Sequence, residues 1–209
     1  MNSDILLIED RINRKEQYIK FDLDEYTNVD LTTGENLTNI LNDITHKNFL
    51  QLEQYKCLIF HASALSNIQK SNLKAFCQKN KKSLVFFSGG ISTSYYNDNL
   101  YPFLSINSKI FYSHNLKKFL NENQINGQIN LLILQYGERW LLSSLLNLRN
   151  NLIKTQEESG KILVNELKIN DYTSEKINID WLSDKGKSLN ELEMKELKNK
   201  IDLLIFESM

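Results

Sequence analysis

Four short stretches of this 209-residue sequence hold side chains that can do chemistry: Glu9-Asp10, His61, Ser88-Gly89-Gly90 and Ser113-His114. Each follows directly on an apolar run, namely Ile5–Ile8, Cys57–Phe60, Leu84–Phe87 and Lys109–Tyr112. Adjacent carboxylates can hold a divalent cation or move protons, whereas an imidazole can accept a phosphoryl group or ligate a transition ion. If Glu9, Asp10 and His61 converge, they make a three-ligand site. Two glycines after a strand expose backbone N–H groups to an anion, but they equally make a turn, which is the preferred reading of Ser88-Gly89. For His61 a hydrogen-bonded strand-end imidazole is preferred, while for Glu9 and Asp10 capping of a first helix stands level with a cation site. Neither a dinucleotide G-x-G-x-x-G, a P-loop nor a G-x-S-x-G nucleophile elbow occurs.

Residues so far apart can meet only through the fold. The apolar runs, with a weaker one at Tyr26–Leu31, predict five strands. Between them, residues 36–53 and 66–80 carry apolar side chains at helical spacing, and shorter helices are expected over Arg11–Lys20 and Leu116–Glu122. Strands alternating with helices predict an α/β class, a doubly wound and mostly parallel sheet covered on both faces. In such sheets ligands sit at the carboxyl ends of the strands, where the four stretches fall.

Past Asn123 the character changes. QINGQIN is a polar joint, so a boundary is expected near residue 125, with a mainly helical extension over 126–209. Residues 138–154 place Leu141, Leu142, Leu145, Leu148 and Leu152 on one helical face beside Trp140, and that face needs a partner surface. Docking or self-association through Trp140, Leu141, Leu145 and Leu148 is expected. INLLILQYG reads as helix or strand alike. A last helix over Leu189–Phe206 is opened by Ser188 with Glu191 three residues on, and residues 157–187 carry no clear pattern. Lys and Arg (25) nearly cancel Asp and Glu (26), so nucleic acid is disfavoured as a partner. Without a signal peptide or an apolar stretch of spanning length, a cytoplasmic protein with no membrane partner is expected. Cys57 and Cys77 sit in apolar patterns that suit buried thiols.

ILLIEDR, YKCLIFH, VFFSG and IFYSHNLKKF, in this order, resemble the strand endings of bacterial response-regulator receiver domains, over a little more than half of the chain. The resemblance implies a flavodoxin-like, five-stranded sheet. It implies that Glu9 and Asp10 match the metal-binding pair, that Mg²⁺ is the one cofactor to consider, and that Ser88 matches the hydroxyl beside the phosphoryl group. His61 then stands in place of the acceptor aspartate and Ser113 in place of the phosphate-contacting lysine. Glu9, Asp10, His61, Ser88, Gly89 and Ser113 would line a ligand pocket or a relic of the phosphoacceptor pocket. Without that carboxylate, aspartyl phosphorylation is lost. The expectation is a phosphorylation-independent pseudo-receiver that regulates signalling through protein contacts. The alternative is a metal- or phosphate-dependent hydrolase or transferase using Glu9, Asp10, His61 and Ser88.

Overall fold

Ile5–Ile8 (β1) and Cys57–His61 (β3) are buried along their whole length, as strands covered on both faces must be. In the computed structural model, which describes residues 3–11, 14–98, 101–159 and 162–209, they lie side by side at the centre of a six-stranded sheet. Its order is β2-β1-β3-β4-β6-β5, with β2 at Val29–Thr32, β4 at Ser83–Ser88, β5 at Tyr95–Asn97 and β6 at Phe103–Asn107. The pairs from β2 through β6 are parallel, and only β5 runs antiparallel, on the edge beside β6.

The α/β class and the mostly parallel sheet follow the sequence reading, but the last strands do not. Lys109–Tyr112, expected as the fifth strand, falls largely in a helical turn, α4 (Ser108–Phe111), capped by the Asn107 side chain, which accepts from the Lys109 N–H at 2.8 Å. The strand that pairs with β4 lies just upstream, where Pro102 introduces FLSIN. An Asn that caps a turn outweighs the apolar character of KIFY.

Helices α1 (Lys15–Lys20), α2 (Glu35–Thr45), α3 (Asn67–Lys79) and α5 (His114–Asn126) connect or follow the strands. Of the expected Arg11–Lys20 helix, residues 12 and 13 lie outside the described residues. α3 opens with a capping box in which Ser66 and Gln69 bond reciprocally, at 3.3 and 2.8 Å. Leu6, Ile8, Leu58, Phe60, Leu84 and Phe86 point to one face and bury Ile40 and Ile44 of α2 with Leu73 and Phe76 of α3. The intervening residues, Leu7, Ile59 and Phe87, point to the other face, where Phe87 stacks on Phe111 at 4.3 Å. Cys57 and Cys77 are free thiols, both fully buried, and burial pushes Cys77 up to about 12.

The chain divides into two compact units, Met1–Gly137 and Glu138–Met209. The division falls at Gly137 and not at the polar joint near residue 125, because INLLILQYG forms a helix, α6 (Leu132–Tyr136), that packs on α5. Asn115 of α5 ties the two, its side-chain amide donating to the Leu134 carbonyl at 3.4 Å.

The second unit has a core of its own. α7 (Trp140–Ser159) and α9 (Glu191–Glu207) pack with α8 (Asp171–Ile177) and a two-stranded ribbon of β7 (Ile162–Leu163) and β8 (Ser188–Leu189). Leu145, Leu148 and Leu152 of α7 meet Leu197 and Ile201 of α9 there. Ser188 belongs to β8, so the last helix starts two residues later than its sequence signal: Asn190 is the cap, closing a box with Glu193 at 2.9 and 3.0 Å.

Candidate functional site

Register places the site. Ile8 pairs with Phe60 on adjacent parallel strands, so Glu9 and His61, one residue further on, come out side by side at the carboxyl ends of β1 and β3. The chain leaves β1 toward β2 on one side while β3 lies on the other, which makes this the switch point of the sheet. Since Ile8 and Phe60 face α2 and α3, the pleat turns Glu9 and His61 to the opposite face, where the His61 ring lies 5.2 Å from that of Phe87. Both are buried, Glu9 completely; Asp10, past the strand end, keeps 29% of its side chain exposed.

The Glu9 carboxylate is fully engaged. Its Oε1 accepts from the Arg11 backbone N–H at 3.2 Å and faces His61 Nδ1 at 3.3 Å, and its Oε2 takes the Arg14 guanidinium and the Tyr112 hydroxyl, both at 3.1 Å. Asp10 Oδ1 lies 2.5 Å from the same Nδ1. A ring nitrogen facing two carboxylate oxygens is the protonated one, so Nδ1–H is shared between Asp10 and Glu9. Burial pushes the Glu9 carboxyl above its ordinary value, and the charges of His61 and Arg14 oppose that shift without reversing it. Burial also pushes Asp10 upward, but the hydrogen bonds with His61 and Glu9 and the imidazole charge outweigh it and hold Asp10 below its ordinary value. The Tyr18 and Tyr112 hydroxyls are raised, first by burial, with Glu9 among the charges that add to it.

Two environments that push neighbouring carboxylates apart are what acid–base chemistry uses. Access limits that chemistry here, because only Asp10 meets solvent. Ser63 does not complete a nucleophile either. Its Oγ stands 3.0 Å from His61 Nε2 and 3.2 Å from Nδ1. A hydroxyl in line with the Nε2 lone pair would stand far from Nδ1, so Ser63 lies off that line.

Glu9, Asp10 and His61 each offer a donor atom, all within 4.8 Å of one another. Two carboxylates and an imidazole suit a transition ion better than Mg²⁺, which favours oxygen ligands. The Asp10–His61 contact is of hydrogen-bond length, and Arg14 holds the outer oxygen of Glu9. An ion would have to replace the shared proton.

The other expected site residues are engaged separately. The Ser88 hydroxyl accepts from the Gly90 N–H at 3.3 Å, closing the turn after β4, and Gly89 is exposed. Ser113 caps α5: its hydroxyl accepts from the Asn115 N–H at 3.2 Å and donates to the Ile110 carbonyl at 2.5 Å. In the second unit Leu145 and Leu148 are buried in the core and offer no surface, Trp140 and Leu141 are half-buried, and the Trp140 ring meets Tyr172 edge-on at 6.4 Å. The large apolar side chains left outside on α9 are Leu192, Leu203 and Phe206, at spacings that return to one helical face.

Arg14 and Tyr112 were missed in the sequence. A basic residue shortly after an acidic pair was a weak signal for Arg14; nothing local marks Tyr112, which is 103 residues from Glu9. Compared with known proteins, the chain matches no family model, no curated protein and no solved structure.

Proposed function

We propose that this protein is a phosphorylation-independent, pseudo-receiver type regulatory module of a bacterial signalling pathway, working in the cytoplasm through contacts with a protein partner or with itself. The observation that carries this reading is the closed state of the strand-end network: His61 stands where an acceptor carboxylate would be needed, and Glu9 is buried with all its lone pairs used by Arg11, Arg14, Tyr112 and His61. The strand order β2-β1-β3-β4-β6 supports the flavodoxin-like part of it. No cofactor is needed in this role.

Contact is proposed through the helical second unit. The Leu face of α7, first expected to make it, is spent in the core, so Leu192, Leu203 and Phe206 of α9 take that part. The test is acetyl-phosphate treatment followed by intact-mass measurement, together with sedimentation of the full chain and of Phe206→Asp. No phosphoryl adduct, with loss of a self-associated species in Phe206→Asp or capture of a partner that this variant loses, is the expected result. A stable adduct on His61, Glu9 or Asp10 would overturn the reading.

A second reading, a hydrolase or transferase with a divalent cation, is favoured by the approach of Glu9, Asp10 and His61 to within 4.8 Å. It requires stoichiometric binding of Mn²⁺ or Zn²⁺ in calorimetry, lost in His61→Ala; absence of binding dismisses it.

A further inference from the structure

On the face of the first unit that holds α1 and α4, the structure forms a cleft of about 320 Å³, lined by Arg14, Gln17, Ser108, Lys109 and Tyr112. These are not the residues that the receiver resemblance singled out. Two cationic side chains, a hydroxyl, an amide and a phenol meet there, and among the described residues no carboxylate lines the cleft.

The state of these groups is what gives the cleft its meaning. Among the described residues, the Lys109 ammonium, the Ser108 hydroxyl and the Gln17 side-chain amide have no hydrogen-bond or ion-pair partner. Arg14 spends Nη1 on Glu9 Oε2, at 3.1 Å, and a guanidinium carries five N–H donors in a rigid fork. Tyr112 spends its hydroxyl proton on the same Glu9 oxygen, so its ring and its oxygen form a wall. Glu9 therefore fixes Arg14 from behind, through a buried ion pair that holds the fork in one orientation, and leaves the remaining donors to the cleft. Donors fixed in advance lose little entropy when an acceptor arrives.

We propose that this cleft binds the phosphate group of a small phosphomonoester. A tetrahedral dianion offers enough acceptor sites to engage the Arg14 fork, the Lys109 point charge, the Ser108 hydroxyl and the Gln17 amide at once. The cleft lies at the lower limit of small-molecule sites, roughly 300 Å³, and exceeds what a bare phosphate fills, so it accommodates a small organic part beside the Tyr112 ring. This site does not depend on the regulatory reading given above: a protein that makes no partner contact would bind the ester equally well.

The experiment is an NMR titration of the ¹⁵N-labelled full chain with phenyl phosphate and with inorganic phosphate, each against sodium chloride at matched ionic strength. Saturable shifts of the Gln17, Ser108 and Lys109 amides are expected, with phenyl phosphate binding more tightly than phosphate. Lys109→Glu, at an exposed side chain without a partner among the described residues, should leave the spectrum otherwise intact and weaken binding at least tenfold; Ser108→Ala should weaken it severalfold. Shifts that do not saturate, shifts that map elsewhere, or an unchanged affinity in Lys109→Glu would overturn the site. Phosphate binding with phenyl phosphate excluded would overturn the ester assignment.

Discussion

Removing the Arg14 guanidinium strands a charge in the interior. Glu9 is fully buried, and Arg14, with 22% of its side chain exposed, is its only guanidinium or ammonium partner among the described residues. Breaking a buried ion pair by deleting one member costs roughly 3–5 kcal/mol, and the partial exposure of Arg14 together with the remaining Tyr112, Arg11 and His61 contacts places Arg14→Ala at the low end, about 3 kcal/mol. For a chain of this size that is a fall in Tm on the order of 10 °C. The assay is urea unfolding at pH 7 of the wild type, Arg14→Ala, Glu9→Gln and the double variant. In the double variant a neutral amide replaces the stranded carboxylate and still accepts from the Arg11 N–H, so it should regain at least about 1 kcal/mol relative to additive losses, a coupling typical of residues in direct contact. The Arg14→Ala deficit should also shrink as pH falls, because protonation of Glu9 removes the unpaired charge. An Arg14→Ala variant within about 0.5 kcal/mol of wild type, or strict additivity with Glu9→Gln, would refute the buried network as the source of order at this site.

The two carboxylates make opposite contributions to acid stability. Glu9, raised above its ordinary 4.5, stabilises the fold most below that value and loses this contribution as pH rises through its folded pKa; unfolding midpoints of Glu9→Gln across pH 4 to 8 should lack this descending limb. Asp10, held below its ordinary 3.8, contributes stability above that value and loses it as pH falls through its folded pKa, so Asp10→Asn should blunt the acid-side loss in the same titration. Gly137 has φ +59 and ψ −137, and a Cβ there would stand 2.5 Å from Asn115 Oδ1; Gly137→Ala should therefore cost about 3 kcal/mol in urea unfolding, and a cost below about 1 kcal/mol would contradict the geometry. Leu145 is fully buried among Leu197 and Ile201, so Leu145→Ala should destabilise the second unit by roughly 3 kcal/mol, read as lost hydrogen-exchange protection in α7 and α9.

The sequence by itself determined the elements whose signals are local. Apolar runs such as ILLI and CLIF form strands covered on both faces, and the helical spacing of residues 66–80 encloses α3 (Asn67–Lys79) with its caps Ser66 and Asn80. It also put a histidine, His61, and not a carboxylate at the end of the CLIF run that becomes β3. Where two local signals competed, the sequence misled: KIFY looks like a strand, but the Asn107 cap turns it into helix, and Ser188 looks like a cap until it pairs in β8. Tertiary structure alone decided the site. Glu9 and His61 become neighbours only because β1 and β3 pair in the register Ile8 with Phe60, and Tyr112 reaches Glu9 across 103 residues of chain. Whether Glu9 was a solvated cap or a buried, saturated carboxylate depended on what α1 and the segment after β6 lay over it, and likewise whether the α7 Leu face met a partner or its own core depended on α9. Burial is a sum over contacts distant in sequence, and no local pattern encodes that sum.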